Sequence, residues 1–140
     1  MVPKTRLDRL VQLKERTEDT ALENLARAQS SLGRASVRLA GMRQEARSDG
    51  RGAGAADLWA LEETAHARAL QALRTAEREL AGAMRKEQMA RAGYVLAFKS
   101  AEAIRRAQEK KRAEVTEEWD RRERRDADEL ATQRFNAKAQ

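Results

Sequence analysis

Apolar residues recur along this chain with a seven-residue period. From about residue 58 to 137 the frame carries an alanine at Ala69, Ala76, Ala83, Ala90 and Ala97, and Ile104 continues the series. A second line, three to four residues away, runs through Leu73, Leu80, Glu87, Tyr94, Ala101, Gln108 and Val115. Two lines at this spacing form the seam of a coiled coil, because they return to one side of a helix every two turns. The N-terminal third repeats the signature, with Ala21, Ala28, Ala35 and Met42 on one line and Leu25, Leu32 and Leu39 on the other. Its outward positions are Arg, Glu, Gln and Ser. Further upstream Leu7, Leu10, Val11 and Leu13 are apolar, but the strict frame passes through Lys14 and Glu18. Reaching Ala21 from Leu13 through Thr17 takes two four-residue steps, which predicts a stutter that locally unwinds the supercoil.

Punctuation is scarce. Pro3 is the single proline, and three of the seven glycines, Gly50, Gly52 and Gly54, fall within residues 48–56, SDGRGAGAA. Each costs a helix about 1 kcal/mol relative to alanine, so this stretch is the predicted turn. Gly33, Gly41, Gly82 and Gly93 lie inside the periodic segments and read as tolerated small residues. Thr5 and Asp8 form a capping-box-like pair for the first helix, and Asp57 is a candidate cap for the second. Leu58, Leu61 and Ala65 open the apolar face of that second helix, with Trp59 expected near the turn. The fold class is therefore all-α: two long helices forming an antiparallel coiled-coil hairpin, the second longer and overhanging. The chain reads as one coiled-coil domain over 1–140, with helix 1 at about 5–47 and helix 2 at about 57–137. A short connection makes the helices antiparallel neighbours. Centring it near residue 52 sets Leu7 beside Ala97 and Leu32 beside Ala72. Helix 1 would then run out near residue 100 and leave residues 101–140 as an overhang. About 50 paired positions would give a rod roughly 70 Å long at 1.5 Å per residue.

Composition agrees with that plan. Charged residues make up 37% of the chain and aromatic residues 4%, so material for a compact Phe, Ile and Val core is lacking. The formal charge of +6 is dispersed: residues 1–47 hold 10 basic and 6 acidic residues, 48–100 hold 8 and 7, and 101–140 hold 11 and 10. This pattern describes solvated charged faces and not a one-sign block. There is no cysteine, which excludes disulfides and thiol nucleophiles. The start, MVPKTRLDRL, lacks the apolar core of a signal peptide, and no 18-residue apolar run exists.

Candidate chemistry is thin. His66 is the only histidine, so histidine metal clusters and histidine-dependent triads are excluded, and it reads as a residue flanking the seam. Glu62–Glu63 and Glu117–Glu118 read as solvated acids. The RGAGAA stretch lacks the lysine of a phosphate loop. No catalytic, cofactor-binding or metal-binding residue is assigned.

The segment after Ile104 changes character. The frame passes through Gln108, Lys111 and Glu118, and the run EEWDRRERRDADEL is dense in opposite charges three and four residues apart, such as Glu118 with Arg121 and Arg122. Such pairs support a lone helix by a few tenths of a kcal/mol each. Trp119, Arg121, Arg122, Arg124, Arg125, Asp128, Glu129, Leu130 and Phe135 are the candidate partner-binding residues, with the aromatics as anchors. Glu118, Asp120, Glu123, Asp126 and Asp128 interrupt the positive field that a phosphate backbone needs, so nucleic acid is not the expected partner.

Two stretches resemble the FliJ/YscO family of type III export stalk proteins. RLDRLVQLKERTEDTALENLARAQSSL is similar to the family's leading helix, with its Leu13-Lys14-Glu15 step followed by alternating Ala and Leu. KKRAEVTEEWDRRERRDADELATQRF is similar to the charged end, closing on Asp128-Glu129-Leu130-Ala131. The plan of two long helices, the second longer, is also similar. The resemblance implies a non-enzymatic stalk like that of rotary ATPases, linking a hexameric export ATPase to the membrane export gate protein and handling export chaperones. It implies a cytoplasmic protein peripheral at the inner-membrane export apparatus. It leaves flagellar and injectisome systems undistinguished. The residues alone leave two other readings: a basic coiled-coil nucleic-acid-binding protein, and a homodimeric structural or chaperone rod formed by self-association.

Overall fold

The computed structural model describes residues 2–48 and 56–139. Helix α1 spans Leu7–Ser48 and helix α2 spans Ala56–Ala139. They form an antiparallel hairpin in which α2 is twice the length of α1. Most of the expected turn, residues 49–55 with their three glycines, lies outside the described residues. Asp57 stands in the first turn of α2, which begins one residue before it, and not at the cap.

The start of α1 is fixed by Asp8. Its Oδ2 accepts the Thr5 backbone N–H (3.2 Å), its Oδ1 accepts the Thr5 hydroxyl (3.0 Å), and its own N–H donates to the Thr5 carbonyl (3.2 Å). One half of a capping box is present, with the acid satisfying an otherwise orphaned donor. Asp8 in the first turn and Arg47 in the last complement the helix dipole.

The contacts divide into two units, residues 19–96 and residues 1–18 with 97–140. In the first unit Leu25, Leu39 and Ala76 are buried, and Ala21, Ala28, Leu32, Ala35, Met42, Ala69, Leu73, Leu80, Ala83, Ala90 and Tyr94 are partly covered. These are the predicted seam positions. Glu87 occupies one of them and is 8% exposed, its carboxylate held by Arg91 one turn on (Nε to Oε1, 3.0 Å). In the second unit Val11 and Ala101 are buried.

Three expectations need correction. First, the stutter is absent. Lys14 and Glu18 are partly covered on the strict frame, while Leu13 is 58% exposed and the exposed Thr17 donates its hydroxyl to the Leu13 carbonyl (3.0 Å). Glu18 can occupy the seam because Arg105 neutralises it (2.6 Å).

Second, the register is displaced. In the first unit Arg38 bonds Glu79 (2.8 Å) and Arg43 reaches Glu77 (3.7 Å), where the expected pairing set them level with His66 and Leu61. In the second unit Arg105 meets Glu15 (3.3 Å) and Gln108 meets Asp8 (2.6 Å), where Met89 and Leu96 were expected. The displacement is roughly four turns, or about two heptads. A slip of whole heptads leaves every seam residue facing the seam, so periodicity cannot detect it. Leu58, Trp59 and Leu61 are accordingly exposed, Trp59 at 53%, and the seam opens at His66 and Ala69.

Third, pairing continues past residue 101. Ala101, Ile104, Gln108, Arg112 and Val115 are all at least partly covered, and exposure on every side begins at Thr116.

Candidate functional site

The second unit places two features side by side: a polar clamp between the helices, and a stretch of α2 with no described residue of α1 beside it. The clamp begins at Asp8. Besides its role at the start of α1, Oδ1 accepts from Gln108 Nε2 (2.6 Å) and from the Arg112 guanidinium (3.3 Å). The Gln108 amide, the Thr5 backbone N–H and the Arg112 charge together hold its carboxyl below the ordinary carboxylate value. Arg112 is only half satisfied, since its Nε is buried with no hydrogen-bond partner.

One turn back along α2, Arg105 spreads its fork over three acids. It donates to Glu18 (2.6 Å) and Glu15 (3.3 Å) on α1 and to Glu102 (3.3 Å) on its own helix. The Glu18 bond is the main reason its protonation is strengthened, against the opposing effect of burial. A planar fork with several donors suits such convergence better than an ammonium would. The sequence frame passes through Gln108 but sets it on the overhang, without a partner in the chain. The structure makes it a seam residue whose amide finds Asp8, and only the correct register reveals that partner.

Beyond Val115 the helix continues to Ala139 with every described residue exposed. All nine candidate partner-binding residues lie here. Helical geometry sorts them into three stripes at about 100° per residue. Trp119 and Leu130, eleven residues apart, share one side. Arg121, Arg124, Asp128 and Phe135 occupy the opposite side. Arg122, Arg125 and Glu129 continue the seam frame, which becomes fully charged. The residues therefore surround the helix and do not converge on one face. Arg121 pairs with Glu117, not with Glu118 as expected. Thr116 and Thr132 return their hydroxyls to the carbonyls of Arg112 (2.9 Å) and Asp128 (2.8 Å).

Two exposed apolar groups lie off the seam. Leu10 and Leu13 line a shallow groove on α1 with Arg6, Arg9, Gln12 and Arg16. In the first unit Met84, Met89, Val95 and Leu96 are exposed on α2.

Among the described residues no group of three or more acidic or histidine side chains is gathered to hold a metal ion. No described helix is long and apolar enough to cross a membrane.

In comparisons with known proteins, no curated protein and no solved structure matches the chain. The family model described as Flagellar FliJ protein matches residues 3–140. A match over nearly the whole length, on a two-helix hairpin whose second helix is the longer, places this chain in the FliJ family, a non-catalytic component of the flagellar export apparatus.

Proposed function

We propose that the chain is the coupling stalk of a flagellar export apparatus, linking a hexameric export ATPase to the membrane export gate. In this reading it works on the cytoplasmic side of the inner membrane. The observation that carries the proposal is the stretch after Val115, a helix exposed on all sides with Trp119 and Phe135 on opposite faces. A helix laid on a flat surface needs its anchors on one side. Anchors on opposite sides suit a socket that encloses the helix, such as the central opening of a ring. The charge-laced sequence supports the helix before docking through pairs such as Glu117–Arg121. The clamp at Asp8 and Arg105 fixes where the free stretch begins. The paired region offers outward surface for the gate protein and for export chaperones.

The test is a truncation. A chain ending at residue 115 keeps the seam and the clamp and loses all nine candidate residues. It should remain helical by circular dichroism and no longer stimulate the activity or oligomerisation of the export ATPase. Stimulation by the truncated chain at the level of the full chain would overturn the docking assignment.

A further inference from the structure

The seam of α2 outlasts its partner at the turn end of the hairpin. Arg43 stands level with Glu77, so Ser48, the last residue of α1, is level with about residue 72 of α2. Helix α2 begins about sixteen residues before that level, at Ala56, and runs about 24 Å at 1.5 Å per residue with no described residue of α1 beside it. The heptad frame nevertheless continues through this stretch. Trp59 and His66 precede Leu73 at seven-residue spacing, and Glu62 precedes Ala69. Trp59 is 53% exposed, and Leu58 beside it is equally exposed. A frame of this kind is one half of a packed interface.

Chain length adds a second observation. The levels of Ser48 and Ala56 differ by about 24 Å and the helix axes by about 9 Å, which sets the two residues about 26 Å apart. Eight peptide steps join them, with a greatest reach of about 26–29 Å. The observed register therefore lies close to the limit of what the connection can span. Moving α1 by two heptads toward Ala56 brings Ser48 level with about residue 58 and cuts the separation to about 10 Å. This is the register that a turn centred near residue 52 would set. Leu25, Leu32 and Leu39 stay on the seam, because the move is a whole number of heptads. Met42 and Ala46 come level with Trp59. At the flanking positions of the first unit Arg43 exchanges Glu77 for Glu63, Gln29 comes level with Glu77, and Asn24 with Glu79. Arg38 loses Glu79.

We propose that the hairpin is a two-register device, in which α1 slides by two heptads, about 21 Å, between the observed pairing and a second one that covers Trp59. The seam itself distinguishes the two registers weakly, since alanine and leucine recur along it. The polar clamp of the second unit holds the observed one. There the slide would part Asp8 from Gln108 and Arg112, and Arg105 from Glu15 and Glu18, and would leave residues 102–115 of α2 without α1 beside them. Two demands thus oppose each other in one coil. The clamp holds α1 away from the turn, and a connection near its full reach, with few conformations open to it, draws α1 back. A ligand that binds one register better shifts the population toward it. A partner that grips residues 102–115 of α2 therefore favours the second register and covers Trp59. The slide rests on the register and the chain length, and holds whether or not the stretch after Val115 enters a ring.

The chain has no cysteine, so introduced pairs report the register without interference. Ser36 and Met84 occupy facing flank positions in the observed register, as Arg43 and Glu77 do, and after the slide Ser36 faces Leu70; all three are exposed. The full chain is prepared as S36C with M84C, and separately as S36C with L70C, and treated in dilute solution with a short bismaleimide. The expected result is intramolecular product from both pairs, formed faster by S36C with M84C. Removing the clamp with D8N and R105Q should raise the rate for S36C with L70C several-fold and lower the other. Deleting residues 50–54 leaves a connection too short for the observed register, so that variant should keep its helicity by circular dichroism and cross-link through S36C with L70C alone. Lengthening the connection by six residues after Gly52 should instead slow the S36C with L70C product several-fold. The proposal is overturned if S36C with L70C gives no product in the full chain, if its rate is unmoved by clamp removal or by lengthening, or if the deletion variant loses its helicity. A pair one heptad further on, S36C with E63C, should give no product; product there as fast as with L70C would show fraying and overturn the slide.

Discussion

Substituting Leu39 with alanine separates the contribution of the seam from that of the ion pairs beside it. Leu39 is 3% exposed and sits on the seam of α1, next to the Arg38–Glu79 pair. Leu39→Ala removes three buried carbons, worth about 0.8 kcal/mol each, or about 2.4 kcal/mol in transfer free energy. A cavity adds to this, but a two-helix seam is open at its sides and can partly close, so the total should be about 3 kcal/mol. The neighbouring pair is much weaker: the side chains of Arg38 and Glu79 are 57% and 48% exposed, and such pairs contribute about 0–1 kcal/mol. Val37 is 73% exposed, and Val37→Ala should change stability by no more than about 0.5 kcal/mol. Urea denaturation followed by far-ultraviolet circular dichroism reads the midpoint and slope of each variant. The expected order of damage is Leu39→Ala, then Arg38→Ala, with Val37→Ala near the parent. If Leu39→Ala were no worse than Arg38→Ala, the packing account of this seam would be wrong.

Other consequences follow from the same geometry. Gly33 lies inside α1, and a Cβ added there meets nothing within 4 Å, so Gly33→Ala should raise the melting temperature through a gain of about 1 kcal/mol in helix propensity. The Asp8 carboxyl is held below its ordinary value by Gln108, Thr5 and Arg112, so its contribution is present above the unfolded carboxylate pKa and is lost as pH falls through the folded one. Amide protection factors in the first turns of α1, taken relative to intrinsic exchange at each pH, should therefore fall on acidification below the ordinary carboxylate range. Asp8→Asn should show fast exchange there already at neutral pH.

The seam was legible in the sequence almost residue by residue, because a heptad repeat states which side of a helix is covered. Glu87 and Gln108 were correctly left in the frame although neither is apolar. The register was not legible. An alanine or leucine at each seam position looks the same after a slip of two heptads, and the turn-centred estimate took the wrong one. The distinction lies in Arg38–Glu79, Arg43–Glu77 and Arg105 with Glu15 and Glu18, long-range pairs that no local period encodes. The same error set the expected start of the free stretch at residue 101, whereas it lies beyond Val115. The candidate residues from Trp119 to Phe135 escaped its consequences, because all of them lie past both boundaries. Their arrangement around the helix became visible only when each position could be assigned a side.

Beyond Val115 every described residue of α2 is exposed, and in the proposed function this stretch is enclosed by the ATPase ring. Hydrogen exchange on the full chain, alone and with the hexameric export ATPase, tests that enclosure directly. The predicted result is new protection in residues 116–139 on adding the ATPase, with little change in residues 19–96. Protection gained in residues 19–96, with none in residues 116–139, would contradict it.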